Sequence, residues 1–157
     1  MSWKERFEQA YKEDFKTRYP HGWKDGHYVE PKFPDVRTSN GLTRAITMYL
    51  TWIGAYGNRI NTMGRLTEGS EKTASGMVLK TKKWIPSTTK RGTPDIDAII
   101  KGKSIKLEIK IGRDTQSKQQ ETQQQAIERA GGQYYIVKTI EQFFDIYDGL
   151  VKNTKQS

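Results

Sequence analysis

The chain is predicted to form an α/β domain in which helices flank a mixed β-sheet. Two runs with β-strand character, "TPDIDAII" and "KSIKLEIKI", are joined only by "KGK", which predicts an antiparallel hairpin. A glutamine-rich helical segment, "SKQQETQQQAIERAGG", then leads to a third strand-like run, "QYYIVKTI". A helical crossover between two strands predicts that they pair in parallel. At 157 residues, one compact domain with some extension is the expected organisation.

Residues 1–38 are predicted to form a helix followed by an irregular arm. "SWKE" at the start fits a capping box, which opens a helix. Aromatic side chains then recur every four residues and so share one helix face: Trp3, Phe7, Tyr11 and Phe15. Such a stripe indicates a helix packed on the core or on a partner chain. The following "RYPHGWKDGHYVEPKFPDV" is dense in proline and glycine, as irregular connections are.

The domain proper is predicted over residues 39–150. "SNGLTRAITMYLTWIG" places apolar residues at helical spacing before a glycine stop, and "AYGNRINT" is typical of a strand. Residues 62–91 are polar and turn at Gly76, which predicts an inserted hairpin. "IEQFFDIYDGLV" predicts an amphipathic closing helix, and residues 151–157 form a polar tail.

Positive charge is concentrated in the middle third of the chain. The formal net charge is +9, and residues 39–91 carry nine Lys or Arg against two Asp or Glu. The run Lys80–Arg91, "KTKKWIPSTTKR", has five cations and no acid. Such a segment indicates either a surface for a polyanion such as DNA or a solvated loop. The candidate nucleic-acid-binding residues are Lys80, Lys82, Lys83, Trp84, Lys90 and Arg91. Trp84 is expected either to stack on an unpaired base or to pack back onto the domain. Its apolar neighbours Ile85 and Pro86 slightly favour packing.

Composition excludes several classes of protein. The chain has no cysteine, which rules out disulfides and thiolate metal sites. No run approaches the roughly 20 apolar residues that a membrane-spanning helix needs, and the first residues lack an apolar signal core. We therefore expect a cytoplasmic protein that does not interact with membranes.

The hairpin predicted from Gly92 to Ile111 concentrates the residues that suggest chemistry. Side chains alternate along a strand, so Asp95 and Asp97 share one face, as do Glu108 and Lys110. Pairing of the two strands brings the acids and the lysine together. Converging carboxylates repel each other, and a divalent cation such as Mg²⁺ removes that repulsion. The alternative is an exposed strand face on which acids and lysines form weak surface pairs.

This stretch resembles a nuclease signature. "PD" at Asp95 followed by "EIK" at Glu108–Lys110 is similar to the PD-(D/E)xK motif. The wider context, "KRGTPDIDAIIKGKSIKLEIK" followed by "GRDTQSKQQ" and "AIERAGGQYYIVKTIEQF", resembles the VRR-NUC subgroup of that superfamily. The resemblance covers about residues 39–150. Residues 1–38 and the long basic insertion lie outside it.

The resemblance implies a restriction-endonuclease-like fold and a metal-dependent endonuclease. Asp95 and Glu108 would be ligands of Mg²⁺ or Mn²⁺, with the carbonyl of Ile109 as a third ligand, and Lys110 would be the catalytic lysine. Gln120 matches the family glutamine, which would orient the lysine or a phosphate; the alternative is an ordinary exposed helix residue. The resemblance also implies DNA as the substrate, with a preference for branched or flapped forms, and a homodimer. Small stand-alone chains of this kind resemble phage products, which would act in the host cytoplasm.

One position departs from the family pattern. The first helix of the family usually brings a glutamate to the metal, whereas this chain has Asn40 and Gly41 there. Asn40 could ligate through its amide oxygen, or Glu68 or Glu71 could substitute from the insertion. The number of metals is therefore open. The alternative function is a catalytically weak or inactive DNA-binding or inhibitor module on the same fold.

Overall fold

The computed structural model describes residues 1–60, 65–85 and 89–153 and has a mixed α/β architecture with helices against a mixed sheet. The helices are α1 (Trp3–Arg18), α2 (Pro20–Lys24), α3 (Ser39–Trp52), α4 (Lys118–Arg129) and α5 (Ile140–Lys152). The strands are β1 (Tyr56–Arg59), β2 (Arg65–Lys72), β3 (Val78–Ile85), β4 (Ile96–Ile100), β5 (Lys103–Ile109) and β6 (Gln133–Val137). Within these ranges no helix has the length and apolar character needed to cross a membrane.

The main sheet has the order β1-β4-β5-β6. The β4–β5 hairpin is antiparallel, and β5 pairs with β6 in parallel, so both sequence-based predictions are confirmed. Lys101 and Gly102 both adopt positive φ between the strands, at 49° and 77°. Positive φ at both central residues is the requirement of the tight hairpin turn that follows the twist of the strands. The crossover between β5 and β6 contains α4, as the glutamine-rich segment predicted.

The hydrophobic core lies between one face of the main sheet and helices α1, α3 and α5. On β4 and β5 alternate residues point into it, among them Ile96, Ala98 and Leu107. Phe7 of α1 is fully buried and stacks on Tyr49 of α3, with ring centroids 5.5 Å apart. Phe7 and Trp3 of the aromatic stripe therefore pack on the core of their own chain, whereas Tyr11 and Phe15 contact Tyr28 of the following arm. A capping box between Ser2 and Glu5 opens the helix, as the sequence indicated.

β2 and β3 form a separate antiparallel hairpin that turns at Gly76, where φ is +82°. The predicted hairpin in the insertion is thereby confirmed. Its register pairs Leu66 with Trp84 and Glu68 with Lys82. Because side chains alternate, one face carries a set that we name the lysine–tryptophan face: Leu66, Glu68, Ser70, Lys72, Val78, Lys80, Lys82 and Trp84.

Candidate active site

β4 and β5 bring Asp95, Glu108 and Lys110 to one end of the hairpin. Ile96 lies opposite Leu107 in the antiparallel register, and one residue further along Asp95 lies beside Glu108. The Asp95 carboxylate accepts a hydrogen bond from the backbone N–H of Ile109 at 2.8 Å, which fixes it over the end of β5. Leu107 and Ile109 point into the core, so Glu108 and Lys110 extend from the opposite face of the sheet. The expected convergence of these three side chains is therefore present.

Glu108 is only 2% exposed, yet both of its oxygens have partners. Oε1 accepts from the Lys110 ammonium at 3.2 Å and from the side-chain amide of Gln120. Oε2 accepts from the Tyr134 hydroxyl at 3.3 Å. Burial, followed by the nearby charge of Asp95, raises the pKa of Glu108, and the hydrogen bond and charge of Lys110 act in the opposite direction. The site thus holds a buried carboxylate next to a second one.

Gln120 is placed by the start of α4. Its backbone N–H donates to the Ser117 hydroxyl at 3.3 Å, and its side-chain oxygen accepts from the Ser117 N–H at 2.9 Å, completing a capping box. This fixes the amide so that its nitrogen donates to Glu108. Gln120 is therefore half-buried in the site rather than an ordinary exposed helix residue, and its contact is with Glu108 rather than with Lys110.

Lys110 is 7% exposed and has a second acidic partner. The carboxylate of Asp114, on the exposed loop after β5, lies 3.4 Å from the Lys110 ammonium. An ammonium group that is taken out of water is stabilised by such ion-pair partners. Lys110 therefore lies between an exposed carboxylate and the buried one of Glu108.

Sequence reasoning missed Tyr134 and Asp114. Tyr134 lies opposite Lys106 in the parallel β5–β6 register, which puts it on the same face as Glu108. Its pKa is raised, first by burial and then by the charge of Glu108, so the hydroxyl stays protonated as a donor. Alternation along "QYYIV" could have identified it. Asp114 follows Lys110 by four residues in a loop, where no periodicity predicts contact.

Asp97 lies on the same sheet face but has a different partner. Its carboxylate pairs with the ammonium of Lys106, which is directly opposite on β5. In the described part of the chain, no hydrogen bond or ion pair joins Asp97 to Asp95 or Glu108. Asp97 thus belongs to a half-exposed surface pair outside the site.

Residues 40 and 41, where the resemblance would place a glutamate, are both held by other contacts. A Cβ atom on Gly41 would lie 1.9 Å from the carbonyl oxygen of Asp35, so no side chain fits at position 41 as the backbone stands. The amide oxygen of Asn40 accepts from the Arg59 guanidinium at 2.7 Å. Asn40 therefore uses its oxygen in a contact with β1.

The glutamates of the insertion also lie elsewhere. The Glu68 carboxylate is 3.5 Å from the Lys82 ammonium across the β2–β3 hairpin. Glu71 is exposed on β2, opposite Leu79. The structure thus brings neither glutamate into contact with Asp95 or Glu108.

The paired carboxylates fit a divalent cation of the hard type. In the described ranges no cluster of three or more His, Cys, Asp or Glu side chains is suited to a metal. Mg²⁺, however, commonly binds one or two carboxylates and completes its shell with water and substrate phosphate. Asp95 and Glu108 provide two such carboxylates, and a cation there would offset both the burial and the nearby Asp95 charge, which in that order raise the pKa of Glu108. The Ile109 N–H donates to Asp95, so the backbone at Ile109, whose carbonyl the resemblance would make a third ligand, lies beside that carboxylate.

The predicted nucleic-acid-binding residues fall in three places. Lys80, Lys82 and Trp84 share the lysine–tryptophan face, whereas Lys83 points to the other face of the hairpin. Lys90 and Arg91 line a cleft of about 340 Å³ together with Ser117 and Gln119, at the start of α4.

Gly92 holds this cleft close to the helix. Its φ is +81°, and a Cβ atom there would lie 2.5 Å from the carbonyl oxygen of Gln119. The close approach brings the basic residues before Gly92 next to the helix turn that carries Gln120.

Trp84 does not pack onto the domain. It is 57% exposed and takes no part in the hydrophobic core. The expectation that it packs back beside Ile85 is therefore wrong.

The fold and the site together define a mixed α/β protein with paired carboxylates beside a buried lysine. Comparison of the chain with models of known families, with curated proteins and with solved structures found no match. Any assignment of function therefore rests on the residues and geometry described above.

Proposed function

We propose that this protein is a metal-dependent nuclease that hydrolyses DNA phosphodiester bonds, with the restriction-endonuclease-like fold that its motif implies. The observation that carries the proposal is the convergence of Asp95, Glu108 and Lys110 on one face of the β4–β5 hairpin. Charged side chains are seldom fully buried, and a buried carboxylate with a shifted pKa beside a charged partner is characteristic of functional sites. The concentration of positive charge before this hairpin supports DNA as the substrate.

Each residue of the site has a role in this proposal. Asp95 and Glu108 would hold Mg²⁺ or Mn²⁺. When bound, the cation lowers the pKa of water and neutralises charge on the phosphate. Gln120 and Tyr134 fix the two oxygens of Glu108, so its carboxylate keeps one orientation.

Lys110 contributes a fixed positive charge. Its ammonium lies 3.2 Å from Glu108, at the edge of the carboxylate pair, where a bound phosphate would be. There it would stabilise the charge that grows on the phosphate oxygens during hydrolysis. The Asp114 contact holds the ammonium on the open side of the site. Lys90 and Arg91, which precede β4 and line the cleft beside the start of α4, would contact neighbouring phosphates.

A second function is a weak or inactive DNA-binding module on the same fold. The bond between Asn40 and Arg59 favours it, because that bond occupies the oxygen at the position where the family supplies another carboxylate. A site with two carboxylates binds cations less tightly than one with three. The two functions differ in whether DNA is cut.

Incubation with plasmid and with branched DNA, in Mg²⁺, in Mn²⁺ and in EDTA, separates the two functions. We expect cleavage in both metals and none in EDTA. Cleavage should be faster in Mn²⁺, because Mg²⁺ demands a nearly ideal octahedral shell and dehydrates reluctantly. DNA binding without cleavage in any metal would establish the inactive module. Cleavage that persists in EDTA would show that the cation site is not the source of the activity.

A further inference from the structure

The β2–β3 hairpin exposes an unusual amount of apolar surface. Of the eleven exposed large hydrophobic side chains in the described ranges, six lie between residues 66 and 85. They are Leu66, Met77, Val78, Leu79, Trp84 and Ile85. None of them takes part in the hydrophobic core. An isolated two-stranded hairpin is marginally stable in water, and clustered exposed apolar groups mark binding surfaces. The hairpin therefore has the character of a surface that is completed by a partner.

The chemistry of the lysine–tryptophan face indicates which partner it fits. Trp84 is 57% exposed and lies opposite Leu66 in the strand register, so the two apolar residues are neighbours on this face. Lys82, Lys80 and Lys72 extend from this pair towards the turn. Lysines two residues apart on β3 are about 6.7 Å apart along the strand, so they form a row of cations that leads away from the ring.

The opposite face differs in composition. By register the opposite face carries Arg65, Lys83 and Glu71, two cations against one acid, and no aromatic residue. On the lysine–tryptophan face three lysines outnumber the single glutamate, Glu68, which pairs with Lys82. Only one face thus combines an exposed aromatic ring with an excess of positive charge.

We propose that the lysine–tryptophan face binds an unpaired DNA strand, with a base stacked on Trp84 and the phosphates beside Lys80, Lys82 and Lys72. The inference deepens the proposed nuclease function and rests on it for the choice of DNA. Stacking on a side chain needs a base whose face is free, which duplex DNA does not offer except at ends, flaps and junctions. A second copy of the chain fits less well, because three lysines would face three lysines, and lysines on a sheet edge oppose strand pairing.

Trp84→Ala is the first test, with Ile85→Ala as its matched control. Ile85 is the adjacent exposed apolar residue, and it points to the other face. Binding is measured in EDTA, where no cleavage occurs, by the fluorescence anisotropy of a labelled single strand, an overhang duplex and a blunt duplex. Loss of one stacked base should weaken binding of the single strand and the overhang roughly 5- to 150-fold in Trp84→Ala. Ile85→Ala should leave binding unchanged, and Trp84→Phe should retain most of it.

The lysines are tested by salt dependence. Each phosphate contact on a single strand contributes about 0.7 to the slope of log affinity against log salt concentration. The double variant Lys80→Ala, Lys82→Ala should therefore flatten the slope by about 1.4. Lys83, which the sequence also suggested as a DNA contact, lies on the other face and outside the proposed strand path, so Lys83→Ala should not change the slope. These variants alter exposed side chains, and circular dichroism checks that the fold is kept.

Several outcomes would overturn the inference. Equal losses in Trp84→Ala and Ile85→Ala, or no loss in either, would show that this face does not bind the strand. Light scattering is the second measurement: a dimer that becomes a monomer in Trp84→Ala would identify a second copy as the partner. Since the binding assay contains no metal, its failure leaves the nuclease proposal standing. Conversely, intact strand binding by a protein that cannot cut DNA leaves this inference standing.

Discussion

Two faces of this molecule depart from the usual burial of apolar side chains and exposure of charged ones. They are the active-site face of the β4–β5 hairpin and the lysine–tryptophan face of the β2–β3 hairpin. At the first, charged groups are buried: Glu108 is 2% and Lys110 is 7% exposed. At the second, large apolar groups are exposed, with Leu66 at 55% and Trp84 at 57%. Buried charge and exposed apolar surface are the two informative departures from ordinary burial. Both have a cost in folding free energy, so each indicates that selection acts on something other than stability.

The two hairpins also differ in what surrounds them. β4 and β5 lie in the middle of the main sheet, with the core on one face and α4 above the other. Their side chains are held by several partners and are preorganised. β2 and β3 have no third strand in the described part of the chain. We infer that the buried site carries the chemistry and that the exposed hairpin carries recognition. Variants in the two regions should therefore separate rate from affinity.

Lys110→Ala should give the largest difference between the effect on cleavage rate and the effect on DNA affinity. It removes the charge that would stabilise the phosphate in the transition state and leaves both carboxylates in place. Loss of such an electrostatic group costs about 10²- to 10³-fold in rate. DNA affinity, measured in EDTA, should change by less than about twofold, because this single buried ammonium is a minor part of the phosphate-binding charge. A rate equal to wild type would remove Lys110 from the mechanism.

Gln120→Ala should have the next largest effect, and Gln119→Ala is its neighbour control. Gln120 holds Glu108 through the side-chain amide, whereas the Gln119 side chain is exposed. Loss of a residue that orients a metal ligand typically costs 10- to 100-fold in activity or metal affinity. Titration calorimetry with Mn²⁺ should show weaker binding in Gln120→Ala alone. Equal losses in both variants would mean that destabilisation of α4, rather than the contact with Glu108, is responsible.

These expectations show how far the sequence could predict the site. Asp95, Glu108 and Lys110 follow from strand alternation and hairpin pairing, which are local rules. The β5–β6 parallel pair followed from the helix predicted between the two strands. The contact between Gln120 and Glu108 depends on how α4 lies across the sheet, and only the family resemblance suggested that Gln120 matters.

Other features depend on tertiary contacts that have no local pattern. The close approach of Gly41 to the Asp35 carbonyl and the bond between Asn40 and Arg59 join segments that are separate in sequence. Trp84 was expected to pack onto the domain because Ile85 is its neighbour. Strand alternation instead puts the two side chains on opposite faces of a hairpin that the core does not cover.

Removal of positive charge from the cleft beside the start of α4 should affect DNA binding more than the cleavage rate. Lys90→Ala and Arg91→Ala each delete a cation from the cleft beside Gln119. If both contact duplex phosphates, the double variant should flatten the dependence of log affinity on log salt by about 1.8. The cleavage rate at saturating DNA should fall only slightly. An unchanged salt slope would place the duplex-binding surface elsewhere on the protein.

The smallest expected effect concerns stability. Burial raises the pKa of Glu108 above its ordinary value of 4.5, so the folded protein binds this proton more tightly than the unfolded chain does. The free energy of unfolding that Glu108 contributes therefore falls as the pH rises from about 4.5 through the folded-state pKa.

Urea unfolding of wild type and Glu108→Gln between pH 4 and pH 7, in EDTA, checks this sign. The variant should gain stability relative to wild type as the pH rises. Loss of the Lys110 partner adds an offset at neutral pH, so the trend with pH is the informative quantity. If the stability of the variant relative to wild type fell as the pH rises, the folded protein would stabilise the charged form of Glu108 rather than disfavour it.

In the nuclease that we propose, the carboxylates beside Lys110, rather than the other acids of the sheet, supply the activity. The most direct test compares single-turnover cleavage of one flapped DNA in Mn²⁺ by wild type, Glu108→Gln and Asp97→Asn. Asp97 is the matched control, because it lies on the same sheet face in a surface pair with Lys106. We expect Glu108→Gln to lose at least about 100-fold in rate and Asp97→Asn to stay within about twofold of wild type. Equal rates in all three proteins, or a larger loss in Asp97→Asn, would contradict the claim.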